Sequence, residues 1–268
     1  MAADWIAPTS LEEALAVRAE HGDDATVVAG GTFLAILLNQ RLIAPTKLLA
    51  LRNVPGINQI RTNGELRLGA LVTHSAVEHS AVVRERWPAV AHVFSVVASP
   101  RIRNQATVGG VLGDADYASD PPAMLTALGA RVVVRSTRGA REIPVEEFII
   151  GHYETSLERD ELIVEVVIPG GVDRAVYRKF RSRSHEDRPC VGVAAAATAD
   201  GLRVVVGAVA GTPQFFPDIC RLADPAEIGS AYAEAIEPIA DVRGSAEYRR
   251  RVIAVEVRRA VEEVGWTQ

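Results

Sequence analysis

The sequence predicts an α+β protein built of two or three packed units, and three observations carry that prediction. Short β-branched runs interleave with helical stretches over the first 172 residues. The breaker Pro169-Gly170-Gly171 then interrupts the chain. Beyond it, strand-like runs are followed by a long amphipathic stretch ending at Val264. A length of 268 residues with 48% hydrophobic and 24% charged residues suffices for cores of that number and is not the composition of a disordered tail.

The first helix is expected from Ser10, because Ser10 and Glu13 have capping-box spacing and Leu11, Ala14, Leu15 and Ala19 then share one face. A strand at Val27 to Ala29 runs into Gly30 and Gly31, and Phe33 to Leu38 reads as one or two buried helical turns. Lys47 to Leu51 is a second strand, and Ile60 to Ala70 is a hairpin turning at Asn63-Gly64. Helical stretches follow near Ser75 to Arg86 and Pro88 to Ala98. Pro100 to Asp120, rich in Gly, Asp, Ser and Asn, is the longest candidate for a functional loop. Asp120-Pro121 is a helix entry with Met124, Ala127 and Leu128 facing inward. Ala130 to Arg135 and Leu162 to Ile168 read as buried strands, as do Ala175 to Phe180, Val191 to Ala199 and Leu202 to Ala210. Ser245 to Val264 is the closing helix, with Val252, Val257, Ala260, Val261 and Val264 apolar.

Composition excludes several functions. Acidic residues number 34 against 29 basic, dispersed along the chain, so no electrostatic footprint for nucleic acid or an anionic membrane exists. Cys190 and Cys220 are too few for a disulfide framework or an iron-sulfur cluster, which needs four thiolates or their equivalents. His74, His79 and His185 are badly spaced to join them, so no metal site is assigned. No apolar run reaches membrane-spanning length, and Met1 to Leu11 lacks a basic start followed by an apolar run, which points to the cytoplasm. Asp114 and Asp116 form an acidic pair without a matched nucleophile or acid, so no catalytic residue is assigned and a hydrolase is disfavoured. Arg181, Arg183 and Arg188 read as a solvated loop or as contacts to a partner subunit.

Two glycine pairs carry the chemistry: Ala29-Gly30-Gly31-Thr32 and Thr107-Val108-Gly109-Gly110. Consecutive glycine amides form a concave anion site suited to a pyrophosphate, although a glycine pair taken alone is more commonly a structural turn. No Gly-x-Gly-x-x-Gly follows a strand and no P-loop lysine is present, which disfavours a nicotinamide-binding fold.

In company these segments become specific. Besides the first loop there is Ile102-Arg103-Asn104-Gln105-Ala106-Thr107-Val108-Gly109-Gly110, continuing to Ser119-Asp120-Pro121-Pro122-Ala123. Asp160-Glu161-Leu162-Ile163 leads to Ile168-Pro169, and Asp241-Val242-Arg243-Gly244-Ser245-Ala246-Glu247-Tyr248-Arg249 precedes the last helix. Over nearly its whole length the chain resembles the FAD-binding medium subunits of the xanthine dehydrogenase and carbon monoxide dehydrogenase family of molybdenum hydroxylases, which share the p-cresol methylhydroxylase-type flavin fold. The resemblance implies two α/β subdomains, about 1–56 and 57–172, forming an FAD-binding domain 1–172, and a C-terminal sheet-and-helix domain 173–268.

It also implies a cofactor site. FAD is expected against Ala29, Gly30, Gly31, Thr32, Phe33 and Leu34, and against Thr107, Gly109, Gly110, Val111, Asp116, Ser119 and Asp120. The amides of Gly30, Gly31, Thr32, Gly109 and Gly110 would hold the pyrophosphate, with Leu162 and Ile163 on the ring and Lys179 as a positive group near it. From the residues alone, Asp120 reads equally as a helix cap, Leu162 and Ile163 as strand core, and Lys179 as a solvated strand lysine. Phe33 and Val111 depart from the polar residue and the asparagine usual in the family. The implied role is electron transfer from [2Fe-2S] clusters on a small partner chain to a final acceptor. The molybdenum cofactor would lie on a large chain, and the assembly would be a dimer of heterotrimers. A flavin-free scaffold subunit and a stand-alone flavin oxidoreductase are the rival expectations.

Overall fold

The computed structural model describes residues 3–172, 174–184 and 186–266, so the expectation for His185 lies outside the described residues. The first segment holds β1 (Asp4–Ile6), α1 (Leu11–His21), β2 (Ala25–Val28), α2 (Leu34–Asn39) and β3 (Lys47–Ala50). Its strands form a small parallel sheet in the order β1-β3-β2. The Ser10 hydroxyl accepts from the Glu13 amide at 3.1 Å, which starts α1 as the spacing predicts. Ala14 and Leu15 are buried, but Ala19 is exposed and Arg18 takes the inward position. The Arg18 stem lies along the core while its guanidinium accepts the role of C-terminal cap, donating to the Gly22 and Ala25 carbonyls. The helix after the first glycine pair exists, but none of its residues is buried, a correction to the apolar run read as core.

The second segment opens with the hairpin β4 (Ile60–Asn63) and β5 (Glu65–Gly69). Helices α3 (His74–His79), α4 (Ala81–Arg86), α5 (Pro88–Ser95), α6 (Pro100–Arg103), α7 (Val108–Gly113) and α8 (Pro121–Ala127) follow. Then come β6 (Arg131–Ser136), β7 (Gly139–Pro144), α9 (Val145–Phe148), the short β8 (Ile149–Gly151) and β9 (Glu154–Thr155), and β10 (Leu162–Ile168). The antiparallel sheet runs β4-β5-β10-β6-β7. Pro100 to Asp120 is therefore not one loop. It folds into two short helices because Thr107 caps α7 through a 3.1 Å bond from the Gly110 amide.

Strand β10 is buried along its whole length because its alternate faces meet different cores. Leu162 and Val164 pack with α1 and β3, whereas Ile163, Val166 and Ile168 join the larger cluster around Phe94, Met124 and Phe148. Glu165, the one charge in that strand, is 7% exposed and is held by Arg61 and Arg67, each at 2.6 Å.

The last segment holds β11 (Arg174–Phe180), β12 (Val191–Thr198), β13 (Gly201–Gly207), β14 (Gln214–Phe215), α10 (Pro225–Ala235) and α11 (Ala246–Val264), with its sheet in the order β11-β12-β13-β14. Period-two alternation divides β12 between two cores. Ala194 and Ala196 face the second segment, and Val191, Val193 and Ala195 face α10 and α11. Alanines suit the first face because α8 lies directly against β12 and β13. Val252, Val257, Ala260, Val261 and Val264 of α11 are buried as expected, each valine contributing about 1.5–2 kcal/mol. Helix α10 was not anticipated; Asp224 caps it ahead of Pro225, a start signal legible in the sequence.

Candidate functional site

One large cavity, about 1010 Å³, opens where the three segments meet. That is at the upper end of the ~300–1,000 Å³ typical of ligand pockets and suits a molecule of dinucleotide size. Ala29, Gly30, Gly31, Thr32, Phe33 and Leu34 line one side. Thr107, Gly109, Gly110, Val111, Asp116, Ser119 and Asp120 line another, and Leu162, Ile163 and Lys179 complete the set. The two glycine turns are thus neighbours. A Cβ built on Gly30 would lie 1.9 Å from the Gln105 carbonyl oxygen, so glycine is required there by the contact between the loops themselves.

The two turns differ in what they offer. Amides of Gly30, Gly31, Thr32, Phe33 and Leu34 donate to no acceptor among the described residues, and Gly31, at φ +70°, directs its vacant Cβ position to a contact no nearer than 3.9 Å. Such a run of bare N–H groups is suited to an anion. In the second turn the expectation of free amides is corrected. Gly109 donates to the Ala70 carbonyl at 2.8 Å, and Gly110 to the Thr107 hydroxyl at 3.1 Å. A Cβ on Gly110 would collide with that hydroxyl at 2.8 Å, so Gly110 protects the cap and is not merely a vacancy for an approaching phosphate. The Thr107 hydroxyl keeps its own proton to donate.

Beneath Thr107 lies His74, 1% exposed, its Nε2 3.2 Å from the Thr107 carbonyl and its ring edge-on to Phe94 at 4.9 Å. Burial pushes its imidazole down to about 4, against the raising effect of the Thr107 carbonyl, so it is neutral and Nε2–H donates. Phe33 stacks on Tyr153 with centroids 5.7 Å apart and planes 13° from parallel. The Tyr153 amide in turn donates to the Ala115 carbonyl, so an aromatic contact ties the first loop to the second.

Asp120 does not cap α8; its backbone is helical and its side chain makes no cap hydrogen bond. Its carboxylate instead accepts from Tyr177 at 2.9 Å and from Lys179 Nζ at 2.9 Å, while Lys179 also donates to the Val96 carbonyl. The ion pair is sealed from solvent, with side chains 4% and 3% exposed. Burial pushes the Asp120 carboxyl up and the Lys179 ammonium down, each opposed by its partner. Lys179 is therefore neither a solvated strand lysine nor a lone positive charge. Leu162 and Ile163, 3% and 8% exposed, belong to the core and also line the cavity.

Among the wall residues outside the expected set are Tyr153, Arg188 and Asp114. Tyr153 carries no local signal, since only tertiary packing brings the β8–β9 turn to the first loop. Arg188, read as a loop or partner-facing arginine, forms an ion pair with Asp116, and Arg183 donates to the Val242 carbonyl at 3.2 Å. Asp114, whose carboxyl accepts no hydrogen bond from the described residues, faces the cavity; burial and the charge of Asp116 push it up to about 7 against the pull of Arg188. Among the described residues no group of three or more His, Cys, Asp or Glu could hold a metal ion, and no helix is long and apolar enough to cross a membrane.

A cleft with bare amides on one wall and a buried carboxylate-lysine pair on another has the size and polarity to suit a dinucleotide cofactor. Residues 1–171 match the family described as the FAD binding domain in molybdopterin dehydrogenase, and residues 175–264 match the CO dehydrogenase flavoprotein C-terminal domain. The chain is 33% identical over 274 residues to the nicotine 6-hydroxylase medium subunit of Paenarthrobacter nicotinovorans, covering 97% of this chain and 96% of that one. It is 31% identical to the carbon monoxide dehydrogenase medium chain of Afipia carboxidovorans, covering 97% and 95%. Among solved structures, carbon monoxide dehydrogenase from Hydrogenophaga pseudoflava superposes with a TM-score of 0.93 at 27% identity over 99% of this chain and 98% of that one. Quinoline 2-oxidoreductase from Pseudomonas putida 86 does so with a TM-score of 0.91 at 30% identity over 98% and 97%. The chain belongs to the FAD-binding medium subunits of the molybdenum hydroxylase family, an oxidoreductase subunit whose cofactor is FAD.

Proposed function

We propose that this chain is the electron-relay subunit of a molybdenum hydroxylase complex, taking electrons from [2Fe-2S] clusters on a small partner chain and delivering them to a final acceptor. The molybdenum cofactor would sit on a large partner chain that oxidises the organic substrate. A cytoplasmic dimer of such heterotrimers is the assembly this reading implies. The observation that carries it is the run of unpartnered amides from Gly30 to Leu34 facing the Thr107 turn across one cavity.

Bound FAD would supply the redox chemistry, accepting electrons singly and releasing them as a pair. The chain's own residues do the holding. The amides of the first turn and the hydroxyls of Thr32 and Thr107 would carry the pyrophosphate, Leu162 and Ile163 would pack on the ring, and the Lys179–Asp120 pair would offer polarity without a net charge. In this reading residues 1–56 and 57–172 are the two halves of the FAD-binding domain, and 173–268 closes it from one side.

The absorption spectrum of the purified chain tests cofactor binding, with flavin bands near ~370 and ~450 nm expected. Anaerobic mixing with the reduced iron-sulfur partner should bleach the ~450 nm band. A colourless chain that still assembles with its partners would make it a scaffold, and full turnover by the isolated chain would make it a stand-alone oxidoreductase.

A further inference from the structure

We propose that Asp241 is a positioning residue for FAD, acting through Tyr117 to hold the 114–120 segment of the cavity wall in its binding conformation. The inference rests on the FAD reading above. Asp114, Asp116, Ala118, Ser119 and Asp120 line the cavity, whereas Tyr117 is no part of its wall. Tyr117 instead leaves the segment and donates to Asp241 Oδ2 at 2.7 Å, across 124 positions of sequence.

Asp241 is a saturated carboxylate. Besides Tyr117 it accepts from the Arg243 amide at 2.7 Å, the Arg243 guanidinium at 2.7 Å and the Arg249 guanidinium at 2.7 Å. Arg243 also donates to the Tyr117 oxygen at 3.3 Å, so the phenol is gripped from both sides. Arg249 reaches the group from α11 with a side chain 0% exposed, and its other nitrogen donates to the Ile239 carbonyl. These residues are the Asp-Val-Arg-Gly-Ser stretch and the arginine singled out in the sequence, for which the cavity itself gives no use.

The wall segment has few fasteners of its own. Among the described residues of the first 172, its start continues α7 through the Asp114 and Ala115 amides, which donate to the Gly110 and Leu112 carbonyls, and beyond that its polar ties are the Ala118 and Ser119 amides to Asp116 and the Ala115 carbonyl to Tyr153. Its remaining anchors, Asp116 to Arg188, Tyr117 to Asp241, and Asp120 to Tyr177 and Lys179, all reach across to the C-terminal segment. Of these, only the Tyr117 anchor has both partners outside the cavity wall. Its loss would lower the fraction of chains with a competent wall, and apparent affinity falls in proportion to that fraction.

The test titrates the cofactor-stripped full chain with FAD by fluorescence quenching and records the melting temperature of the same samples. Tyr117→Phe, which removes one hydroxyl, is expected to weaken FAD binding about threefold, and Asp241→Asn about tenfold. Val257→Ala, in the α10–α11 core away from the wall, should lower the melting temperature while leaving FAD affinity within about twofold of wild type. FAD affinity unchanged in both Tyr117→Phe and Asp241→Asn would overturn the proposal, and so would Val257→Ala weakening FAD as much as Asp241→Asn does. Should Asp241→Asn fail to fold, Tyr117→Phe decides. A wild-type chain that binds no FAD would instead refute the cofactor reading, before any variant is compared.

Discussion

Replacing Gly30 with alanine tests the contact on which the cavity depends. A Cβ there would sit 1.9 Å from the Gln105 carbonyl oxygen, 2.8 Å from its carbon and 3.2 Å from the Ala106 Cα, all backbone atoms that no rotamer change can move. Real Cβ contacts essentially never fall below 3.0 Å, so the loops must separate by more than 1 Å. Overpacking of this kind costs about 1–3 kcal/mol, and separation would pull the Gly30 to Leu34 amides from the facing Thr107 turn. A cradle misplaced by about 1 Å loses hydrogen bonds to a charged ligand worth ~1.5–3 kcal/mol each, so FAD affinity should fall by at least tenfold. The assay compares flavin absorbance per chain after purification, with far-ultraviolet circular dichroism to verify folding. Full flavin occupancy in a folded Gly30→Ala chain would refute the reasoning.

Three other outcomes are expected. Lys179→Met should strand the Asp120 carboxylate and cost about 3–5 kcal/mol near pH 8 by urea denaturation. Because burial already raises the Asp120 carboxyl, that loss should shrink toward acid pH, where the group binds a proton; a loss independent of pH would contradict this account. Asp114, raised to about 7 by burial and by Asp116, is best tolerated in its protonated form, and that advantage is lost as pH rises through about 7. Asp114→Asn should therefore stabilise the chain by roughly 1 kcal/mol near pH 8, a figure discounted for the open cavity, and by less below about pH 5. Val111→Asn would place an amide donor on the cavity wall and should tighten FAD binding several-fold, for about 1 kcal/mol, in the same fluorescence titration.

Much of this protein was legible in its residues taken in order. Ser10 and Glu13 mark the start of α1, the β-branched run from Leu162 to Ile168, broken only by Glu165, marks a buried strand, and the spacing from Val252 to Val264 marks the final helix. These are local periodicities and caps, and short-range backbone physics suffices for them. The glycine turns and the residues flanking them were visible as a set through the family resemblance, and the structure brings them to one cavity.

What the order of residues could not decide was which groups are already spent. Gly30 and Gly109 look alike in one dimension, yet the first leaves its neighbouring amides bare and the second gives its own to Ala70. Asp120 has the sequence of a helix cap, but Tyr177 and Lys179 arrive from a strand more than fifty positions away and claim its carboxylate. Tyr117, Tyr153 and Arg188 acquire their partners only when the three segments close on one another. Hydrogen bonds and ion pairs saturate, so the residue that reaches a donor or acceptor first removes it from every other use, and that competition is settled by tertiary packing alone.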